Sequence, residues 1–339
     1  MSKHRVTLKM LSERTGFDKS TISRVLRGDK TLSIRAENLA HILKVAEQLQ
    51  YVPDPAGRSL RSSRTFSLGA VIPSLQNQIH AQIVEGAYEV CNAQGYSLII
   101  AQASTPQDQL AAIQKMVRNN RIEALLALTF RNEYSEPVFV DDLAVPIAAV
   151  NWKAPGFENW ITIEERKGGR MATQYLLDLG HRKIAHLSGD LLRFNSSERF
   201  LGYQDALASA GIAVDPSLVI TSGYTFEAGY QAMTELLDRR RGMFTAVFVV
   251  SMLSAAGAIN ALQKQGVRVP EDVSVMGFHD GLMAQVVTPR LSTIAFPLND
   301  MGRIAAQGMI DVLEGKATSF GQEIPGGIVV ARESTAALR

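Results

Sequence analysis

One stretch of this chain spaces its side chains for chemistry on a polyanion. Between Lys19 and Arg27, Ile22, Val25 and Leu26 fall at i, i+3 and i+4, the signature of one buried helical face. The other face carries Lys19, Ser20, Ser23, Arg24 and Arg27: cations and short hydroxyls, with no acid. Such a face can lie against phosphates and the base edges of a major groove. A solvated basic face on any amphipathic helix has the same composition, so the context has to separate the two. Thr7 stands where an N-cap belongs for a helix over 8–14. Thr15-Gly16-Phe17 makes a turn, and Asp18 stands where a second N-cap belongs. Cap, turn and register together predict a helix-turn-helix, with Thr7, Lys19, Ser20, Ser23 and Arg24 facing DNA.

A second set consists of polar and aromatic residues just past short apolar runs: His80, Gln102, Phe130, Arg131, Asn151, Trp152, Arg193, Arg199, Tyr224, Ser251, His279 and Asp280. They supply donors, acceptors and ring faces for a small polar ligand, although each alone fits a packing or surface role equally well. No phosphate loop, dinucleotide fingerprint, Gly-x-Ser-x-Gly elbow or metal-spaced histidine pair occurs. Catalytic residues, metal ligands and cofactors are therefore not expected, and neither is enzymatic turnover.

The elements that must hold these residues follow from the apolar pattern. A third helix from a Ser33 cap to about residue 49, with Leu39, Ile42, Leu43, Ala46 and Leu49 on one face, would close a small all-α head. From Phe66 the pattern alternates. Strands are expected over 68–72, 96–101, 124–129, 146–150, 184–188, 245–250 and 273–277. Helices are expected over 79–93, 106–119, 168–179, 197–210, 226–237, 254–265 and 299–313. Such alternation calls for parallel sheets covered on both faces. There are too many units for one sheet, so the α/β body divides into two doubly wound lobes with binding near strand carboxyl ends.

Bulk numbers agree. The 339 residues are 46% hydrophobic and 20% charged, an ordinary globular balance. The net charge of +2 hides a split. Residues 1–65 hold 13 Lys and Arg against 6 Asp and Glu, a net +7, and the remainder holds 22 against 27, a net −5. A basic head on an acidic body suggests a polyanion-binding module joined to something else. Cys91 is the sole cysteine and falls in a helical core pattern with Ile83, Ala87 and Val90. No leader peptide or bilayer-length apolar run is evident, so a cytoplasmic protein with no membrane partner is expected.

Between head and body, residues 54–65 place Arg58, Arg61 and Arg64 around one large apolar residue, Leu60. The composition fits a flexible basic linker. It also fits a short helix that sets arginines on phosphates and a leucine wedge in a minor groove.

Residues 6–65 resemble the head and hinge of the lactose/galactose repressor (LacI/GalR) family of bacterial transcription regulators. The resemblance rests on Val6-Thr7-Leu8, Gly16 to Arg24 continuing to Leu26, Tyr51-Val52-Pro53 and Arg58-Ser59-Leu60-Arg61. It continues to about residue 330 through Gly168-Gly169, Leu179-Gly180-His181-Arg182-Lys183-Ile184, Val269-Pro270-Glu271-Asp272-Val273 and Pro289-Arg290-Leu291. It implies a periplasmic-binding-protein-like body and a homodimer on double-stranded operator DNA, with Lys19 and Ser20 reading bases. It also implies a Leu60 wedge in a hinge that folds when two copies meet. The domains would be a head over 1–53, a hinge over 54–65 and a core over 66–339. The first lobe would hold 66–160 and 290–320 and the second 161–289 and 321–330, with crossings near 160, 289 and 320.

The resemblance further implies that Arg199 grips an effector, with Asn151, Tyr224 and Leu298 lining the pocket. Together with His80, Phe130, Trp152, Ser251 and His279 these make the expected effector site. Ser251-Met252 and His279 stand where the family usually has Asn-Asp and Asp. Loss of those acids, and gluconate-type motifs at 73–78 and 277–279, point to a sugar acid facing Arg199 and His279. A neutral sugar with Trp152 or Tyr224 stacked on its ring is the alternative. Arg199→Ala is expected to abolish the effector response and leave the fold intact.

Overall fold

The computed structural model describes residues 6–26, 28–29, 31–51, 64–128 and 144–338. Contacts divide the chain into two units, Met1–Arg64 and Thr65–Arg339. In the first unit, α1 (Leu8–Thr15), α2 (Lys19–Leu26) and α3 (Ala36–Gln48) enclose Leu11, Ile22, Val25, Ile42 and Ala46. The expected Ser33 cap is not used. Leu32 and Ile34 turn into the core and hold that segment extended, so α3 begins two residues later, at an Arg35 N-cap that makes no side-chain cap bond. Leu39 and Leu43, expected inside, are exposed; Leu49 packs beside Ile42 and Ala46 as expected, and Val45 joins them.

The second unit contains two six-stranded sheets. The first lobe is built from β1 (Ser67–Ile72), α4 (Gln78–Ala93), β2 (Ser97–Gln102), α5 (Pro106–Arg118), β3 (Ala124–Ala127), β4 (Ile147–Val150) and β5 (Asn159–Ile163). The second follows with α6 (Glu165–Asp178), β6 (Ile184–Ser188), α7 (Phe194–Ser209), β7 (Val219–Thr221), α8 (Phe226–Arg240), β8 (Ala246–Val249), α9 (Met252–Lys264), β9 (Ser274–Phe278), α10 (Leu282–Val286) and β10 (Ser292–Ala295). The chain then adds α11 (Leu298–Leu313), β11 (Gly321–Ile324) and β12 (Ile328–Val330). The sheet orders are β11-β5-β4-β3-β1-β2 and β12-β10-β9-β8-β6-β7. The strands run parallel except for β12, which pairs antiparallel with β10. Fully buried runs such as Ala246–Val249 show why: both faces of each sheet carry helices. In each sheet the winding reverses between the first strand and its two neighbours, β1 between β2 and β3, and β6 between β7 and β8.

The chain crosses between lobes three times: from β5 to α6, from β10 to α11, which packs on α4, and from β11 to β12. The second and third crossings differ from the expected ones near 289 and 320. β10 belongs to the second sheet, with Ser292 beside Met276, and β11 to the first, with Gly321 beside Trp160. Pro289-Arg290-Leu291 leads into a strand rather than out of the lobe.

Candidate functional site

The head presents α2 with its caps formed. Thr7 accepts from the Met10 N–H at 3.3 Å, and Gly16 closes α1 with a φ of 76°. Asp18 Oδ1 accepts the N–H groups of Ser20 and Thr21 at 2.8 and 2.9 Å, and its two oxygens take both hydroxyls at 2.5 Å. Those donors, the Ser20 hydroxyl first, hold the Asp18 carboxyl below the usual carboxylate range. Lys19 and Ser20 are exposed on this turn, while Ser23 and Arg24 are half-buried. The expected acid-free face is altered by the following loop. Arg24 donates from Nε to Asp29 Oδ2 at 2.8 Å and from Nη2 to Thr31 Oγ1 at 3.0 Å, so part of its guanidinium is held by the chain itself. Arg27, Arg58, Leu60 and Arg61 lie outside the described residues, as do Phe130 and Arg131.

In the body, Arg199 on α7 is 1% exposed and anchors a polar network. Its backbone is brought in by a close helix pair: a Cβ on Gly169 would lie 2.3 Å from the Arg199 carbonyl oxygen. Nε and Nη2 clasp the two oxygens of Glu165 at 2.6 and 3.0 Å, Nη1 donates to the Val250 carbonyl at 2.7 Å, and Nη2 donates to His279 Nε2 at 2.9 Å. The guanidinium also lies 3.9 Å over the Phe278 ring. Glu165 is 2% exposed and takes a further bond from Asn195 Nδ2 at 2.7 Å. Burial pushes its carboxyl up, and the adjoining Arg199 opposes that. With three donors on two oxygens, the carboxylate pairs fully with the arginine. The uncompensated arginine expected from the sequence is therefore replaced by a buried ion pair.

His279 follows β9 with a φ of 65°. Burial, then the Arg199 charge, then His80 hold its imidazole well below the ordinary value. It is neutral, accepts at Nε2 and carries its proton on Nδ1, a tautomer assigned from the bonding network. That Nδ1 is buried and has no partner among the described residues. His80, from α4 of the first lobe, donates Nδ1–H to the Ser74 carbonyl at 3.0 Å, and burial lowers its pKa as well. Asn151 follows β4 with a φ of 67°. Its carbonyl accepts from Asn195 at 2.7 Å, and its Oδ1 is buried with no partner among the described residues.

Three expected site residues have other employment. Trp152 donates its indole N–H to the Ala127 carbonyl at 2.8 Å and packs edge-on against Phe157, which props the end of β3. Ser251 caps α9 by accepting from Ser254 N at 3.2 Å. Tyr224 shares a short hydroxyl bond with Ser196. Thus Arg199, His279 and Asn151 join one network through Glu165 and Asn195, His80 lies near enough to His279 to disfavour its charged form, and Tyr224 and Ser251 meet through a 3.4 Å bond from Ser251 Oγ to the Tyr224 carbonyl. Sequence reasoning missed Glu165, Asn195 and Ser196. The acidic pair ahead of Gly168-Gly169 was the available signal for Glu165. Asn195 and Ser196 were hidden because α7 begins at Phe194 rather than at Ser197.

Among the described residues no group of three or more His, Cys, Asp or Glu could hold a metal ion, and no helix is long and apolar enough to cross a membrane. Residues 173–335 match the model of a periplasmic binding protein-like domain. The ribose operon repressor of Haemophilus influenzae is 28% identical over 334 residues, 98% of this chain and 99% of the relative. The HTH-type transcriptional repressor PurR of Erwinia tasmaniensis is 30% identical over 315 residues, 91% of each chain. The fold is that of a lac repressor dimer solved on operator with the anti-inducer ONPF, with a TM-score of 0.84, 23% identity, and coverage of 98% of this chain and 100% of that one.

Proposed function

The chain belongs to the LacI/GalR family of DNA-binding transcriptional repressors regulated by small-molecule effectors, and from that premise we propose a homodimer that holds one α2 in each half-site of a near-palindromic operator and releases or tightens with a sugar bound between its lobes. A two-fold dimer matches two half-sites a helical turn or its multiple apart. Exposed Lys19, on the first turn of α2, is the base reader this arrangement supports best. Residues 54–65, with Arg58, Leu60 and Arg61, are the proposed hinge.

The observation that carries the effector reading is the pair of buried atoms without partners among the described residues, Asn151 Oδ1 and His279 Nδ1. One accepts and the other donates. A hydroxyl does both, so neighbouring hydroxyls of a polyol answer both atoms. Charge supports the same ligand. Arg199 is neutralised by Glu165, and His279 and His80 favour their neutral forms. A buried carboxylate would add a charge with no counter-ion in this network. The proposed effector is therefore a neutral sugar. A sugar acid is the second reading, favoured by the gluconate-type motifs and by two donors still on offer, one Nη1–H of Arg199 and His279 Nδ1–H.

Thermal unfolding in the presence of neutral aldoses and of the matching aldonic acids separates them. A ligand at a hundred times its Kd adds about 2.7 kcal/mol of stability. Stabilisation by a neutral aldose is expected; stabilisation by aldonic acids alone would put the second reading in its place.

A further inference from the structure

The segment after β12 reaches Asp280, the residue next to His279. Arg332 is 13% exposed and Asp280 22% exposed. Nη1 and Nη2 of Arg332 hold the two oxygens of Asp280 at 2.8 and 2.9 Å, and Nη1 also reaches the Leu291 carbonyl at 2.8 Å and Thr293 Oγ1 at 3.1 Å. Thr293 Oγ1 in turn donates to Asp280 Oδ1 at 2.8 Å. Beyond Arg332 the tail is sewn to the lobe. Fully buried Ser334 donates to the carbonyls of Arg290 and Val275, and Leu338 donates to the Leu179 carbonyl at the far end.

Asp280 directly follows His279, whose left-handed backbone is uncommon for a residue other than glycine. Its carbonyl also accepts from Gln82 Nε2 of the first lobe at 3.2 Å. A bidentate fork on a carboxylate fixes orientation as well as distance. We infer that Arg332 is a positioning residue of the effector site: by clamping Asp280 it holds the strained peptide that turns His279 onto Arg199 and offers the Asp280 carbonyl to the first lobe. This rests on His279 belonging to the effector site, but the geometry itself can be tested without any sugar.

The probe is diethylpyrocarbonate, which acylates accessible neutral imidazoles, read by peptide mass mapping on the full-length protein. Arg332→Gln and Asp280→Asn each break the fork. Arg290→Gln breaks only the Arg290–Glu333 pair on the same tail, at 2.8 Å, and serves as the control. His186, fully buried in the same lobe, reports global opening. Both fork variants are expected to raise His279 labelling about tenfold, as a local opening does, with His186 still protected and Arg290→Gln without effect. His279 remaining as protected as in the parent would overturn the inference. So would parallel labelling of His186, because Arg332 would then hold the lobe as a whole. Failure of every sugar to bind, with His279 labelling as expected, would instead overturn the effector reading and leave the clamp standing.

Discussion

Arg199 shows what a single residue can and cannot reveal. The resemblance singled out Arg199, and the residue does anchor a buried polar network, yet its partner was not legible, because Glu165 lies 34 positions away on another helix. That contact changes the expected outcome of mutation. Arg199→Ala strands a buried carboxylate, so it should destabilise the folded protein by roughly 3–5 kcal/mol rather than leave it intact. Removing both charges, in Arg199→Met with Glu165→Leu, should recover most of that loss. Urea unfolding of the single and double variants measures the difference, and equal midpoints for Arg199→Ala and the parent would contradict the ion pair's role. Lys19 is the simpler case. Lys19→Ala should cost about 1–3 kcal/mol at one operator position and relax preference there. An equal loss on all sequences, measured by binding to a set of single-base operator variants, would make Lys19 a phosphate contact.

At the scale of elements, long amphipathic helices and apolar strands declared themselves, whereas short strands did not. β7 and β12 have three residues each, too few for any period to register, and β10 reads as a continuation of a turn. The unread β10 and the unread four-residue β11 shifted the second and third lobe crossings. The start of α3 was misjudged because Ser33 has the right chemistry for a cap, but its apolar neighbours decide the backbone. One strand residue also sets a pH dependence. His186 on β6 is fully buried among Phe200, Tyr203 and Phe248, with Nδ1–H bonded to the Phe248 carbonyl at 2.9 Å. Burial holds its pKa down to about 4. The unfolded chain takes up a proton below about 6.5 and the folded lobe only near 4, so stability is intact above 6.5 and falls across that window. At pH 5 the loss from this residue is about 2 kcal/mol. His279, also depressed, acts in the same direction. The urea midpoint should therefore drop between pH 7 and pH 5, and drop less in His186→Leu. An unchanged slope in that variant would show that other groups govern acid lability.

The whole molecule combines a basic head and a two-lobed α/β body, and both were legible from charge distribution and strand–helix alternation. The charge balance of the site was less so, since the sugar-acid expectation came from the acids missing at positions 252 and 279 and from the motifs at 73–78 and 277–279, and took no account of buried Glu165. A ligand held by both lobes can alter operator affinity only through its different affinities for the two lobe arrangements. One titration measures that linkage. Fluorescence anisotropy would follow binding to the DNA upstream of the protein's own coding sequence and to a scrambled duplex, at fixed salt because phosphate contacts dominate affinity. Each titration would be repeated with neutral aldoses and with aldonic acids. Preferential binding to the upstream DNA, and a shift in that affinity with a neutral aldose, are expected. Equal affinity for both duplexes, unmoved by every sugar, would contradict both.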